Sequence, residues 1–213
     1  MSQAVADNWG TLIHANGDAG LDMALDALAS VYPAGSGFRN RIEHCTVTRI
    51  DQYDRMQKLG VTPTFLTNHI AIWGDAFREH IIGPARADRL DAAGDALKRG
   101  MIFSFHCDYA TSLPAPLQYM QTAVTRLTNT GVQLGADLAI DATEALKAVT
   151  IYPARQLGID ATIGTITAGK RANFVQLAAD PTTVASGDIA SIPILATYLR
   201  GHLKPVSNAR SSA

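Results

Sequence analysis

The sequence has few cysteines and no long apolar run, and these two absences exclude whole classes of protein. Its only cysteines are Cys45 and Cys107, too few for the disulfide framework of a small secreted domain. No apolar stretch reaches bilayer length, and the first residues lack the basic start and apolar core of a signal peptide. We therefore expect a cytoplasmic protein with no membrane partner.

Neither sign of charge is in excess. Lys and Arg total 18 against 19 Asp and Glu, which gives a net charge of −1, and the basic residues form no cluster. Because phosphate backbones and anionic lipids attract basic patches, we expect no nucleic-acid partner. The hydrophobic content of 47% over 213 residues is instead typical of a chain that buries one sizeable core.

Short apolar runs alternate with longer amphipathic segments in the first half of the chain. The pattern predicts strands at 11–15, 41–45, 61–67 and 101–107, helices at 19–31 and from 48 or 51 to 59, and a partly helical connection over 73–99. This alternation is typical of βα units around a parallel sheet. The sequence thus predicts an α/β fold, either part of a (β/α) barrel or an open doubly wound domain. No Gly-rich phosphate loop supports the second.

The pattern changes after residue 108. Helices are predicted at 114–127 and 142–157, the second with Asp141 or Thr143 as its N-cap. Residues 164–177 and 194–202 both have β-hairpin character, which indicates a small accessory sheet. The polar residues 207–213 are expected to form a disordered tail.

Metal-capable side chains stand at the ends of three predicted strands. His14 is near the end of the first strand, His44 near the end of the second, and Asp108 directly follows the fourth. In a (β/α) barrel, side chains at the carboxyl ends of the strands converge on one pocket. Two imidazoles and one carboxylate suit Zn²⁺ or a similar divalent ion, which keeps a position open for water in a catalytic site. The sequence therefore predicts a metal site.

Cys45 and Cys107 stand beside two of these predicted ligands, which raises the alternative of a cysteine nucleophile. Successive side chains on a strand point to opposite faces, so the thiols face the helices if His44 and Asp108 face the pocket. We therefore expect inert, buried thiols. The same alternation predicts that Glu43 points away from the pocket and pairs with an arginine.

Two further residues need an interpretation. His106 lies two residues before Asp108, and we expect a hydrogen-bonded core histidine there, one layer below the pocket. Arg126 has two open interpretations, a helix-surface residue or a member of the site, and the sequence does not choose between them.

Several motifs follow one another in a specific order. These are His-Ala-Asn-Gly-Asp at 14–18, Arg-Ile-Glu-His at 41–44, His69 with Trp-Gly-Asp at 73–75, His-Cys-Asp at 106–108, Ala-Val-Thr-Arg at 123–126, Glu-Ala-Leu-Lys-Ala-Val-Thr at 144–150, and the Gly-rich turn segment 164–173. In this order and spacing they resemble the C-terminal half of amidohydrolase family 3, the branch of the metal-dependent amidohydrolases that includes enzymes like N-substituted formamide deformylase. The resemblance runs from about residue 10 to residue 202.

The resemblance implies a partial TIM barrel, about strands five to eight, followed by a small β accessory element. It implies that His14 and His44 are metal ligands ending the fifth and sixth strands. Asp108 matches the aspartate that ends the eighth strand, binds the metal and takes the proton from the attacking water. The residues implied to line the substrate mouth are His69, Trp73 and Asp75.

The implied activity is metal-dependent hydrolysis of a carbon–nitrogen bond other than a peptide bond, in an amide, formamide or cyclic amide. The implied cofactor is a divalent metal, with Zn²⁺ the ion that the donors suit best. The implied division of the chain is 1–160 for the half-barrel, 161–206 for the accessory sheet and 207–213 for the tail.

The sequence also departs from the family. The His-x-His pair and the first four strands that the family places before the fifth strand do not occur in these 213 residues. Four strands taken from a closed barrel would leave two open edges and an uncovered inner face. We therefore expect self-association or pairing with a separate N-terminal half. The alternative to an active enzyme is a catalytically inactive half-barrel, either a gene fragment or an assembly subunit, that lacks the N-terminal metal ligands.

Overall fold

A four-stranded parallel sheet forms the centre of the fold. The computed structural model describes residues 1–33 and 35–205, and the predicted tail at 207–213 lies outside them. The strands run in the order β1 (Leu12–Ala15), β2 (Arg41–His44), β3 (Thr62–Phe65) and β4 (Ser104–Phe105), each parallel to its neighbour. The predicted α/β fold with a parallel sheet is thus confirmed. β4 is much shorter than the predicted 101–107, because it pairs with β3 through two residues only.

Nine α-helices connect or flank these strands within the described residues. They are α1 (Ser2–Ala6), α2 (Asp18–Val31), α3 (Ile50–Leu59), α4 (Asn68–Ala76), α5 (Pro84–Ala87), α6 (Ala93–Lys98), α7 (Pro116–Thr125), α8 (Ala142–Ala148) and α9 (Ile151–Gln156). A π-helical turn, Phe77–Ile81, extends α4, and 3₁₀ turns lie at Ala136–Leu138 and Ser186–Ser191. No helix described here is both long enough and apolar enough to traverse a lipid bilayer.

Local signals explain where two of the helices begin and end. Gly60 ends α3 with φ of +70°, a left-handed conformation that glycine adopts without a Cβ clash. Asp141 caps α8 by accepting a hydrogen bond from the Glu144 N–H at 2.8 Å. The single helix predicted over 142–157 is wrong, since it is broken into α8 and α9. Pro153 has no N–H to donate to the carbonyl four residues back, so it is accommodated in the first turn of α9 and disfavours a helix that continues from α8.

The core lies between the sheet and the helices packed on it. In α2, the buried residues Leu21, Ala24, Leu25 and Leu28 have the i, i+3, i+4, i+7 spacing of one helix face. They join buried side chains from the sheet and from α3, including Ile42, Tyr53, Met56, Phe65 and Phe103. Each such large apolar side chain contributes about 1.5–3 kcal/mol when buried. This packing holds the sheet in place, and it therefore also positions the ends of the strands.

A second, antiparallel sheet follows the α/β unit in the chain. Its order is β5 (Phe174–Leu177), β6 (Ile194–Leu199) and β7 (His202–Lys204), and β6 and β7 form a hairpin. Arg200 and Gly201 make its turn with φ of +53° and +79°, as two-residue hairpin turns require. The β-hairpin predicted for 164–177 is wrong except for β5, because Gly164 and Gly169 turn the chain with positive φ.

The parallel sheet is open at both edges among the residues described. β1 and β4 each pair on one side only. Apolar side chains are exposed next to β1, with Trp9 at 69% and Leu12 at 58% of their full accessibility. Open edges of this kind can accept a further strand.

Candidate functional site

His14 and His44 meet at the carboxyl ends of β1 and β2. Their ring centroids lie 4.4 Å apart in an edge-on arrangement. His14 is exposed, and its Nε2 lies 3.4 Å from the Nδ2 of Asn16. His44 is buried, and its Nδ1 has no hydrogen-bond partner among the described residues. Two imidazoles, one with an unused buried nitrogen, therefore face each other at the strand ends.

The strand register alone does not explain this contact. His14 lies beside Glu43, and His44 lies beside Ala15, so regular alternation would place the two imidazoles on opposite faces of the sheet. His44 has φ of +76°, a left-handed conformation uncommon for a residue other than glycine. This backbone ends β2 and turns the His44 ring toward His14.

The same register corrects the interpretation of Glu43. Glu43 shares a sheet face with His14 and does not point away from it. Its predicted pairing with an arginine is confirmed, since Arg41 Nε donates to Glu43 Oε1 at 2.7 Å. Thr64 Oγ1 donates to the other carboxylate oxygen. Glu43 is thus held by two side chains of its own sheet face.

His106 continues the group of imidazoles. Its ring centroid lies 4.9 Å from that of His44. We expected a hydrogen-bonded core histidine, but the buried Nε2 has no partner in the described part of the chain. The prediction of a fully hydrogen-bonded side chain is therefore wrong. A buried ring nitrogen without a partner is costly in a purely structural histidine.

Burial keeps the imidazoles of His44, His69 and His106 neutral near pH 7. It lowers the pKa of His44, and the neighbouring His14 lowers it further. Burial also lowers the pKa of His69 and of His106 to about 4, with the charge of His44 as the next cause in both. A neutral imidazole has a lone pair that can bind a cation or accept a hydrogen bond.

Asp108 is exposed at the loop after β4. Its backbone has φ of +47°, and its Oδ2 accepts a hydrogen bond from Thr111 Oγ1 at 3.2 Å. Its negative charge raises the pKa of His44, His69 and His106 against the effect of burial, which places it within electrostatic range of all three. The carboxylate therefore lies at the rim of the imidazole group.

The three predicted substrate residues lie on α4, the helix after β3. His69 and Trp73 are one helical turn apart and their ring centroids are 5.6 Å apart. Asp75 accepts a hydrogen bond from Thr130 Oγ1 at 2.9 Å, which directs it to the 128–131 turn. The structure brings His69 and Trp73 together, while Asp75 is engaged elsewhere. Roles in substrate binding stay predictions for all three.

The side chains at the strand ends are of types that bind a divalent cation, but they are not grouped as a metal site requires. Unpartnered imidazole nitrogens and a rim carboxylate are ligands that Zn²⁺ accepts. Across residues 1–33 and 35–205, however, no three His, Cys, Asp or Glu side chains are grouped closely enough to hold a metal ion. The set His14, His44 and Asp108 therefore stays a prediction.

The two thiols take no part in this group. Cys45 is completely buried, and burial raises the pKa of its thiol far above the usual range. Cys107 packs against the apolar core and is partly buried. A thiol with a raised pKa is a poor nucleophile, which disfavours the alternative of a cysteine enzyme.

Sequence reasoning missed two buried residues behind the site. Arg126 has no exposed surface, and its guanidinium donates to the backbone carbonyl oxygens of Asp88, Leu90, Asp91 and Leu134. The helix-surface interpretation of Arg126 is therefore wrong, and a role in the site stays a prediction. Asp91 is 1% exposed and neither carboxylate oxygen has a hydrogen-bond partner among the described residues. Its position inside the apolar segment 90–93 was a signal that could have identified it.

Imidazoles and a carboxylate at the carboxyl ends of a parallel sheet lie where α/β enzymes carry their active sites. Comparison with known proteins identifies the protein family. The model of the amidohydrolase family matches residues 1–203. This chain belongs to the amidohydrolase family.

Individual relatives agree with this assignment. N-substituted formamide deformylase of Arthrobacter pascens is 33% identical over 201 residues, which cover 90% of this chain and 36% of the relative. Protein LONG AFTER FAR-RED 3 of Arabidopsis thaliana is 30% identical over 194 residues, with 89% and 33% covered. The crystal structure of an uncharacterized metal-dependent hydrolase from Pyrococcus horikoshii OT3 superposes with a TM-score of 0.73 at 29% identity, over 87% of this chain and 37% of that one. The chain thus spans about a third of the length of the relatives it matches.

Proposed function

We propose that this chain provides half of the active site of a metal-dependent hydrolase that cleaves carbon–nitrogen bonds other than peptide bonds. The observation that carries the proposal is the contact of His14 and His44 at adjacent strand ends, with the buried Nδ1 of His44 left without a partner. Structural histidines are hydrogen-bonded when buried. A nitrogen kept neutral and unpaired at a strand end is suited to a cation.

The four parallel strands correspond, in this proposal, to strands five to eight of a TIM barrel. His14 and His44 would hold the cation, and Asp108 would contact it from the rim. Three donors of this kind are the minimum for a catalytic zinc site, and tight binding calls for further ligands. We expect these from a second polypeptide segment that pairs with the open edges of β1 and β4.

A divalent metal bound at these residues supplies Lewis acidity, which polarises a carbonyl oxygen and makes water more acidic. Asp108 takes a proton from water while the water oxygen attacks the carbonyl carbon. The same carboxyl group then gives the proton to the amine nitrogen as the carbon–nitrogen bond breaks. Neutral His69 contacts the substrate, and the Trp73 ring excludes water from one side of it.

The substrate class in this proposal is an amide, a formamide or a cyclic amide. Support comes from the relative named as an N-substituted formamide deformylase, which shares 33% of its residues with this chain over the matched region. We keep a small-molecule substrate, zinc as the metal and a cytoplasmic location as parts of the proposal. Self-association, or pairing with a further segment that supplies more strands, is also part of the proposal, and the open edges of the sheet support it.

Metal binding to the purified chain tests this function. Isothermal titration with Zn²⁺ and Co²⁺, together with the visible spectrum of the cobalt form, should give one ion per site. His14→Ala and His44→Ala should each weaken binding about 10-fold or more, because each removes a direct ligand. His80→Ala is the matched control, since His80 is exposed on the surface away from the strand ends. Equal metal binding by all four proteins would refute the assignment of the ligands.

The alternative function is an inactive half-barrel that acts as an assembly subunit. Two observations favour it: the open sheet edges, and the lack of any three-donor metal cluster within the described ranges. It predicts self-association without stoichiometric metal. Analytical ultracentrifugation with and without Zn²⁺, followed by an assay of formate release from an N-substituted formamide, separates the two functions.

A further inference from the structure

Thr46 occupies a buried position between three parts of the candidate site. It lies two residues after β2 and is 2% exposed. Its Oγ1 donates a hydrogen bond to Asn16 Oδ1 at 2.7 Å and lies 3.1 Å from the Nδ1 of His69. Thr46 therefore contacts the loop after β1 and the helix after β3 through a single hydroxyl group.

The hydroxyl has only one hydrogen, and this determines the direction of both bonds. Because that hydrogen goes to Asn16 Oδ1, the Thr46 oxygen can only accept from His69. The hydrogen of neutral His69 must then be on Nδ1. The Nε2 of His69 is consequently an acceptor with a free lone pair.

Asn16 extends these contacts to the candidate metal ligand His14. With its Oδ1 bonded to Thr46, its Nδ2 lies 3.4 Å from His14 Nε2. A continuous series of hydrogen-bonding groups therefore runs from His69 through Thr46 and Asn16 to His14. It crosses the end of β2 and joins the predicted substrate side of the site to the predicted metal side.

Asp91 is the other group beside the Nδ1 of His69. Its Oδ2 is 3.8 Å from that nitrogen, and its backbone N–H donates to the Thr46 carbonyl at 3.0 Å. Burial raises the pKa of Asp91 well above its usual value. The charge of Arg126 lowers this pKa only in part, and so does the nearby Leu66 N–H, which lies outside hydrogen-bonding geometry. At 3.8 Å this oxygen is beyond hydrogen-bond distance of Nδ1, and neither Asp91 carboxylate oxygen has a partner in the described part of the chain. The Thr46 oxygen, at 3.1 Å, is therefore the group that bonds to Nδ1.

We propose that Thr46 is a positioning residue that fixes His69 in the Nδ1–H tautomer, so that its Nε2 accepts a hydrogen bond from the substrate. The donor that this nitrogen fits is the N–H of a secondary amide. This inference rests on the proposed hydrolase function. It predicts that the substrates are mono-N-substituted amides or formamides. N,N-disubstituted amides have no such N–H and should be turned over poorly.

The tautomer of His69 can be read directly from ¹H–¹⁵N multiple-bond spectra of the imidazole rings at neutral pH. Loss of one set of signals in His69→Gln assigns the residue. We expect Nδ1–H in the wild type and in Thr46→Ser, which keeps the hydroxyl. Thr46→Val has nearly the same shape but no hydroxyl, and Asn16→Ala frees the Thr46 hydrogen to turn toward His69. Both should increase the Nε2–H form.

A wild type already in the Nε2–H form would overturn the inference, and so would an unchanged tautomer in Thr46→Val. A purely structural role for Thr46 would change the unfolding midpoint but not the tautomer. The spectra need neither metal nor turnover, so failure of the hydrolase function is detected separately. Nδ1–H in a wild-type chain without hydrolysis supports the positioning role and counts against the proposed function.

Kinetics then test the use of Nε2. For an N-monosubstituted formamide, Thr46→Val should lower kcat/KM about 10-fold, the usual size for residues that orient a functional group, while Thr46→Ser should stay close to wild type. For the N,N-disubstituted counterpart, the two variants should differ little from wild type. Equal losses on both substrates would contradict the proposed hydrogen bond.

Discussion

Replacement of Arg126 should strongly destabilise the fold. The guanidinium has no exposed surface and donates to four backbone carbonyl oxygens, at 2.5 Å to Leu134, 2.7 Å to Leu90, 3.2 Å to Asp88 and 3.3 Å to Asp91. Three of these carbonyls belong to the loop that carries Asp91 behind the candidate site. Arg126→Met keeps much of the side-chain length but removes all of these donors.

The size of the effect follows from two opposing contributions. The Asp91 carbonyl keeps a partner, since it also accepts from the Ala93 N–H at 2.7 Å. A buried carbonyl left unpaired costs about 1–3 kcal/mol, so the other three cost about 6 kcal/mol at the middle of that range. Burial of the charge acts in the other direction. Burial lowers the pKa of Arg126 from 12.5 to about 10, which corresponds to a cost of about 3 kcal/mol for burying the charge. The methionine variant has no charge and does not bear this cost. We expect a net loss of about 3 kcal/mol in the free energy of unfolding, at the lower end of the range measured for broken buried ion pairs.

Urea denaturation followed by circular dichroism measures this loss. Arg126→Lys, which keeps the charge but not the planar fork of donors, should lose an intermediate amount. Arg155→Met is the matched control, because Arg155 is exposed and should change stability by less than about 0.5 kcal/mol. If Arg126→Met lost less than about 1 kcal/mol, the estimate that these hydrogen bonds stabilise the fold by several kcal/mol would be refuted.

Three further predictions concern pH, thiol reactivity and backbone packing. Because the pKa of His69 is lowered to about 4, the unfolded chain binds the extra proton first, and unfolding free energy should fall by up to about 1.4 kcal/mol per unit as pH drops from 6.5 to 4. His69→Gln should remove this contribution in denaturation curves at several pH values, while His106, whose pKa is also lowered to about 4, keeps a similar one. Cys45 should react with iodoacetamide only on unfolding, and Cys107 in the folded chain, as mass spectrometry can distinguish. Gly94→Ala should lower the melting temperature, since its Cβ would lie 2.6 Å from a backbone oxygen, whereas Gly187→Ala has open space and should not.

The layout of the fold could be predicted from the sequence because its signals are local. The strand positions follow from short apolar runs, and α2 follows from four apolar residues on one helix face. The break between α8 and α9 was also encoded locally, by Pro153, but the surrounding helical pattern masked it. Such elements need little information from elsewhere in the chain.

The residues that support the site could not be predicted in the same way. Arg126 is a long charged residue at the end of a helix, where exposure is the usual outcome. Its burial depends on carbonyl oxygens that lie 8 to 38 positions away along the chain. Thr46 similarly gains its role from Asn16 and His69, which belong to different βα units. Pairings of this kind arise only when separate elements are packed together.

Backbone conformation explains why strand periodicity predicts the sheet better than it predicts the site. Alternation holds along β2, where Arg41 and Glu43 are on one face and the buried Ile42 is on the other, and it fixes the register of β1 beside β2. It fails at His44, the last residue of β2, and left-handed φ also occurs at Cys45 and Asp108. Such conformations cost about 1 kcal/mol or more and recur where a side chain is directed for a function. Ligand-binding residues in α/β folds lie at the ends of the strands. The period-two alternation that identifies the strands therefore fails at the positions where functional residues are expected.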